Sequence, residues 1–161
     1  MAGKAPIREH TTQDTGDSIS EVTASGVVFL AADTGRCMLQ LRNATGKRHS
    51  NTWGFWGGTM LPGETVYENI LRELQEEIGF VPELTKLNPL DVYQSRDKTF
   101  YYYSFVYVVD SEFTPVLNSE SAGYAWVDIG RWPQPLHQGA RQTLARNKGD
   151  QKLKTIWRIN R

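Results

Sequence analysis

The segment from Thr65 to Gly79 constrains the chain more than any other stretch. Thr65-x-x-Glu68 has the form of a capping box, in which each side chain satisfies the other's backbone N–H at a helix start. Val66, Ile70, Leu74 and Ile78 then recur every four residues, joined by Tyr67 and Leu71, and form the apolar stripe of an amphipathic helix. Pro62-Gly63 marks the turn before it, and Gly79 is placed to end it.

Around this helix the pattern is mostly β. Val22 to Ala32 is β-branched and apolar and ends at Asp33-Thr34-Gly35, and Cys37 to Leu41 follows as a hairpin partner. Asn43 to Asn51 reads as a polar loop, and Thr52 to Gly58 as a short aromatic segment closing on Gly57-Gly58. Val92 to Gln94 and Thr99 to Val109 read as two strands, and Gly123 to Asp128 as a short one. A last helix is expected over Gly139 to Asn147, followed by a basic tail with Ile156, Trp157 and Ile159 as docking residues. Residues 1–20 are polar and read as a flexible tail, which leaves residues 21–161 as a single domain.

The net charge is zero, 18 basic against 18 acidic groups, which argues against coating nucleic acid through bulk charge. The sum hides an uneven distribution. Residues 64–128 carry 12 acidic and 4 basic groups, whereas residues 129–161 carry 8 basic and 1 acidic. One cysteine, Cys37, excludes an internal disulfide framework and a four-cysteine zinc site. With no secretory h-region and no apolar run of about 20 residues, the expectation is a cytoplasmic chain with no membrane span.

The second face of the helix carries the chemistry. Glu73, Glu76 and Glu77 stand at i, i+3 and i+4, where side chains share one surface. Like charges at that spacing repel, and only Arg72 lies nearby to offset them. Glu64, just before the helix, is within reach of the same surface. Such a face, taken alone, is as readily an ordinary solvated surface as a site. Carboxylates at this density also match the oxygen-rich coordination of Mg²⁺ or Mn²⁺ beside a phosphate.

The surroundings decide between the two. From Gly58 the order is five residues, Glu64, seven residues, then Arg72-Glu73-Leu74-Gln75-Glu76-Glu77-Ile78-Gly79-Phe80. This resembles the signature of the Nudix hydrolase family, the MutT-like pyrophosphohydrolases, G-x5-E-x7-R-E-U-x-E-E-x-G-U, at every fixed position. The resemblance implies an α/β fold, an α/β/α sandwich with a mixed, partly barrel-like sheet on which the helix packs its apolar stripe. It implies Glu76 and Glu77 as metal ligands, Glu73 as a further ligand or the base for water, and Arg72 as the orienter of a neighbouring glutamate. Glu64 supports the site, and the Gly57 carbonyl is a further metal contact. A later acid serves as ligand or general base; Glu120 is the first candidate and Glu112 the second. The implied cofactor is Mg²⁺, or Mn²⁺, with two or more ions once substrate is bound.

The implied reaction is attack of water on a nucleoside diphosphate linked to a moiety X. (d)NTPs or oxidised (d)NTPs are the favoured substrates. Dinucleoside polyphosphates, nucleotide sugars and RNA 5′ ends are the alternatives. A non-catalytic nucleotide-binding module is the reading of another class, but such modules tend to lose glutamates that stand here. Trp56 occupies a position that is often proline in the family, and Ser95 stands where many ADP-ribose pyrophosphatases have proline. Trp53, Phe55, Trp56 and Tyr103 are candidates for a base-stacking surface, against the alternative that they are sheet core. Arg42, at the end of the second strand, is a candidate phosphate contact. The oligomeric state is open, a homodimer included.

Overall fold

The structure is a computed structural model and describes residues 21–43 and 51–161. The expected tail over residues 1–20 and residues 44–50 of the expected polar loop lie outside the described residues. A mixed, branched sheet of seven strands forms the centre, and it does not close into a barrel.

The central strand is β1 (Val22–Ala31). It runs parallel to β6 (Phe100–Val109) over its whole length. On its other edge it pairs antiparallel first with β4 (Trp56–Thr59) and then with β2 (Arg36–Arg42). β2 in turn carries β3 (Trp53–Gly54) and β7 (Ser121–Asp128), and β6 carries β5 (Lys86–Gln94) at the sheet edge.

β1 is apolar almost without interruption because both its faces are covered. Val27, Phe29 and Ala31 face one cluster, together with Met38, Trp56, Phe105 and Tyr107. Val28 and Leu30 face the other, with Cys37, Leu39, Val106 and Val108. The first cluster is roofed by α1 (Val66–Ile78), whose Val66, Ile70, Leu74 and Ile78 are at most 1% exposed. Burying four such side chains contributes about 1.5–3 kcal/mol each against the entropy of ordering the helix.

The ends of α1 behave as the sequence requires. Thr65 Oγ1 accepts from Glu68 N at 3.1 Å, and Glu68 Oε1 accepts from Thr65 N at 2.9 Å. Gly79 takes the left-handed conformation with φ of 84°, and Val116 N donates to the Ile78 carbonyl at 2.9 Å.

Three expectations need correction. The strand expected from Val92 begins at Lys86 and runs through Pro89. Proline is tolerated there because β5 is an edge strand whose register slips between Pro89 and Asp91. The basic tail is a helix. The expected helix over Gly139–Asn147 is a short α2 (Gln138–Arg141) followed by a π-helical turn (Gln142–Arg146). Lys148 then adopts a left-handed conformation and α3 (Gly149–Asn160) begins. Leu153, Ile156 and Trp157, spaced i, i+3 and i+4, dock on the second cluster, while Ile159 is 69% exposed. Trp157 Nε1 donates to the Ala32 carbonyl at 2.9 Å, tying α3 to the end of β1.

The helices therefore lie on both faces of the sheet, as the α/β/α expectation requires. Among the described residues no helix is long and apolar enough to cross a membrane.

Because Leu153 is fully buried in α3, Leu153→Ala is expected to lower the free energy of unfolding by about 2–5 kcal/mol. Ile159→Ala, at an exposed position of the same helix, should change it by about 0.5 kcal/mol or less. Urea denaturation followed by far-UV circular dichroism measures both, and equal effects would reject the docked helix.

Candidate active site

The site begins where β4 meets β1. Gly57 opposes Gly26, and a Cβ at Gly57 would run into the Ser25 carbonyl, so only glycine allows the strands this approach. The Gly57 N–H donates to Glu77 Oε1 at 2.9 Å. At Gly58 a Cβ would collide with the Glu73 carboxylate. Two acids from consecutive turns of α1 therefore rest against the bare Gly57-Gly58 backbone. On the other side of β1, a Cβ at Gly26 would meet the Tyr102 hydroxyl.

Glu77 is 3% exposed, and burial is the largest cause that lifts its pKa well above the carboxylate range. Glu73 and Glu120 add repulsion, while the Gly57 N–H and Arg42 oppose it. The Glu73 pKa is also raised, by burial first and then by Glu76, Glu120 and Glu64, against the pull of Arg72. Glu120 thus acts on both carboxylates, and Arg42 on Glu77. Arg42 Nε is buried without a hydrogen-bond partner among the described residues.

A second group of residues holds this pair in place. Arg72 donates to Glu64 Oε2 at 2.6 Å through Nε, and through its terminal nitrogens to Glu64 Oε1, the Thr59 carbonyl and Glu76 Oε2, each at 3.2 Å. This forked contact lowers the Glu64 pKa and outweighs the effect of burial. Asn69 donates to the Thr59 carbonyl at 3.1 Å and to Glu64 Oε1 at 3.2 Å, and its Oδ1 accepts from Ser25 Oγ. Glu64 and Arg72 thus clamp α1 to β4, and Asn69 ties it to β1.

The positions expected from sequence divide unevenly. Glu73 and Glu77 converge on Gly57-Gly58, but Glu76 does not join them. Its side chain is half exposed and turned to Arg72. Glu120 is brought in by its loop, since Asn118 Nδ2 donates to the Glu76 carbonyl at 2.8 Å and Asn118 Oδ1 accepts from Glu120 N at 2.9 Å. Glu112 is committed elsewhere, in a forked ion pair with Arg36 in which both contacts are 2.7 Å.

The aromatic candidates need correction. Trp56 is 0% exposed in the first cluster, its Nε1 donating to the Met38 carbonyl at 3.1 Å, so it presents no stacking face. Phe55 is buried in the second cluster against Tyr102. Tyr103 packs partly on the first cluster, and Trp53 partly on the second.

Tyr102 is the tyrosine of its run on which Glu77 acts, whereas Tyr103 is the one the sequence suggests. Its ring stacks with Phe55 at 6.4 Å between centroids, and burial raises the hydroxyl pKa, with Glu77 the next cause. Alternation along β6 separates it from Tyr103, but nothing in the sequence says which face meets Gly26. Asn69 is equally silent in sequence, one polar residue on an otherwise apolar helix face.

Among the described residues no three Asp, Glu, His or Cys side chains are gathered as a ready metal cage. The pair Glu73 and Glu77 nevertheless fits a hard divalent ion. Mg²⁺ typically takes one or two carboxylates and fills its remaining positions with water and phosphate oxygens. Two mutually repelling, largely buried carboxylates are also more costly without a cation than with one.

A family model for the NUDIX domain matches residues 21–146. The chain belongs to the NUDIX family. Of curated proteins, it is 31% identical over 110 residues to the isopentenyl-diphosphate Delta-isomerase of Burkholderia multivorans, covering 63% of this chain. The match spans 60% of the length of that relative. The fold is similar to that of the MutT NUDIX hydrolase of Burkholderia pseudomallei, with a TM-score of 0.60 and 22% identity over 78% of this chain and 96% of that one. It is similar also to a NUDIX hydrolase of Nitrosomonas europaea, with a TM-score of 0.66 and 17% identity over 83% of this chain and 73% of that one. The NUDIX box of this chain is thus the Gly58–Phe80 segment that builds the site.

Arg72→Lys keeps the charge and loses the fork to Glu64 and Thr59. It is expected to lower kcat by about 10- to 100-fold with a small effect on KM, because Arg72 acts through the glutamates it holds. Steady-state kinetics measure the split, and a change confined to KM would reject the orienting role.

Proposed function

We propose that this NUDIX protein is a Mg²⁺-dependent pyrophosphohydrolase that cleaves nucleoside diphosphates linked to a moiety X, with (d)NTPs or oxidised (d)NTPs as favoured substrates. The observation that carries the reading is the pair Glu73 and Glu77 held against the Gly57-Gly58 backbone, with Arg42 and Glu120 in electrostatic reach.

Glu73 and Glu77 would hold the ion, with Glu76 available from the exposed side and the Gly57 carbonyl beside them. A bound divalent ion supplies charge neutralisation for the phosphate oxygens and a lower pKa for the attacking water. The chain's own residues do the rest. Arg42 binds a phosphate oxygen through its unused Nε–H. Glu120, or Glu73, takes the proton of the water as its oxygen attacks phosphorus. The phosphoric anhydride P–O bond breaks, and a (d)NTP leaves as (d)NMP and pyrophosphate. Arg72, Glu64 and Asn69 keep the carboxylates aligned. Trp53 and Tyr103, only partly buried, remain the base-contacting candidates, whereas Trp56 and Phe55 are withdrawn from that role. Dinucleoside polyphosphates, nucleotide sugars and RNA 5′ ends remain the alternative substrates.

A second reading rests on the curated similarity, because the isomerase relative acts, by its name, on a diphosphate ester. Its test belongs to the same experiment: isopentenyl diphosphate is included in the screen and examined for an isomerised product as well as for released phosphate.

The expected outcome of a Mg²⁺ screen over dNTPs, 8-oxo-dGTP, ADP-ribose, diadenosine polyphosphates, nucleotide sugars, capped or 5′-triphosphate RNA and isopentenyl diphosphate is nucleotide hydrolysis abolished by EDTA. Turnover of isopentenyl diphosphate alone would replace the hydrolase reading with the isomerase one.

Glu77→Gln should remove activity by about two orders of magnitude or more. The same change should leave the melting temperature of the metal-free protein at or above that of the wild type at neutral pH. The sign follows from the raised pKa of Glu77: its charge costs stability once the pH exceeds the unfolded carboxylate value, and the amide carries no such cost. Glu120→Gln should slow kcat, and an unchanged kcat assigns the base to Glu73.

A further inference from the structure

Gln40 is a residue that neither the sequence pattern nor the reaction accounts for. It lies on β2 between Met38 and Arg42 and is 2% exposed. Side chains alternate along a strand, and Met38 belongs to the cluster beneath α1, so Gln40 continues that face beyond the core. Its Nε2 donates to Ser121 Oγ at 2.6 Å, next in sequence to Glu120. Its Oε1 is buried and has no hydrogen-bond partner among the described residues. Arg42 Nε, two residues on, is in the same condition.

A buried carbonyl oxygen with no donor costs free energy unless something meets it. Here an unused acceptor and an unused charged donor stand at neighbouring positions of one strand. The pairing of that strand with β7 is irregular between Leu41 and Arg42. Arg42 acts on Glu77, and Ser121 follows the acid that acts on both Glu73 and Glu77. A core built only for stability would place an apolar side chain at position 40.

We propose that Gln40 determines specificity: its Oε1 accepts a hydrogen bond from an O–H or N–H on the substrate group adjoining the phosphate chain, while Arg42 Nε takes a phosphate oxygen. The inference deepens the pyrophosphohydrolase reading and rests on it. A site with a polar group waiting for a donor discriminates strongly against ligands that lack one, because the group is then left buried and unpaired.

The test is calorimetric titration, with Mg²⁺, of wild type and Gln40→Met, whose side chain has similar length and no amide. The ligands are imido analogues of ribo-, 2′-deoxy- and 3′-deoxynucleoside triphosphates with each of the four bases, and imidodiphosphate alone. The variant is expected to bind the nucleoside analogues about tenfold or more weakly, about 1.4 kcal/mol, and imidodiphosphate within about twofold of the wild type. Loss of the ribo-over-deoxy preference assigns the donor to a sugar hydroxyl; loss of preference among bases assigns it to a base N–H.

Unchanged affinities overturn the proposal, as does equal weakening of imidodiphosphate and nucleoside analogues together with a lowered melting temperature. A wild type that binds no nucleoside analogue overturns it too. If Gln40→Met does not fold, the side-chain amide resonance of Gln40 in the wild type decides. It should shift on adding a nucleoside analogue and stay in place with imidodiphosphate, and a resonance that ignores both rejects the contact. Hydrolysis of the natural triphosphates is measured alongside. Gln40-dependent binding without turnover overturns the hydrolase reading alone, and turnover with selectivity indifferent to Gln40 overturns this inference alone.

Discussion

A buried carboxylate must be held by something, and Glu77 is held by the Gly57 N–H. The rest of the architecture follows from making that contact possible. β4 can approach β1 closely enough only because Gly57 has no side chain to meet the Ser25 carbonyl. Gly58, bare of a side chain, leaves the Glu73 carboxylate its place against the β4 backbone. The apolar stripe supplies the free energy that presses the helix down, and the Ser25–Asn69 and Glu64–Arg72–Thr59 contacts set where it stops.

The charges are arranged around that contact. A helix with acids at i, i+3 and i+4 would relieve repulsion by exposing them all, and only Glu76 does so. Glu73 and Glu77 are instead driven inward, where burial and mutual repulsion raise the cost of ionising them. Structural stability gains nothing from that arrangement, whereas a divalent cation and a polyanionic substrate use it directly. The acidic stretch of the chain is balanced by the basic C-terminal stretch, and the structure shows that stretch as a packed helix whose Trp157 and Leu153 close the opposite face of the sheet.

Legibility from sequence followed the range of the interactions. The capping box, the stripe and the terminal glycine of α1 are local, so each could be read from spacing and each is present as read. The central strands were legible because β1 and β6 are buried on both faces and are therefore continuously apolar. α3 was not, because its apolar residues are few, its polar face is strongly basic, and its start depends on a left-handed Lys148. β5 was legible only from Val92; its first half runs through Pro89, which is allowed because the strand lies at the edge.

The sequence by itself determined the box: which glutamates, at which helical spacing, behind which glycines, because those relations span at most a few turns of one segment. Only the tertiary structure decided which of the acids are buried together. Glu73 and Glu77 meet the Gly57-Gly58 backbone, Glu76 is left to Arg72, Glu120 is delivered by the Asn118 contact, and Glu112 is spent on Arg36. It alone exposed the burial of Trp56, the approach of Tyr102 to Gly26, and the unspent atoms of Gln40 and Arg42. These depend on strand register and on the face each side chain takes, and a shift of one residue in pairing would reverse every one of them.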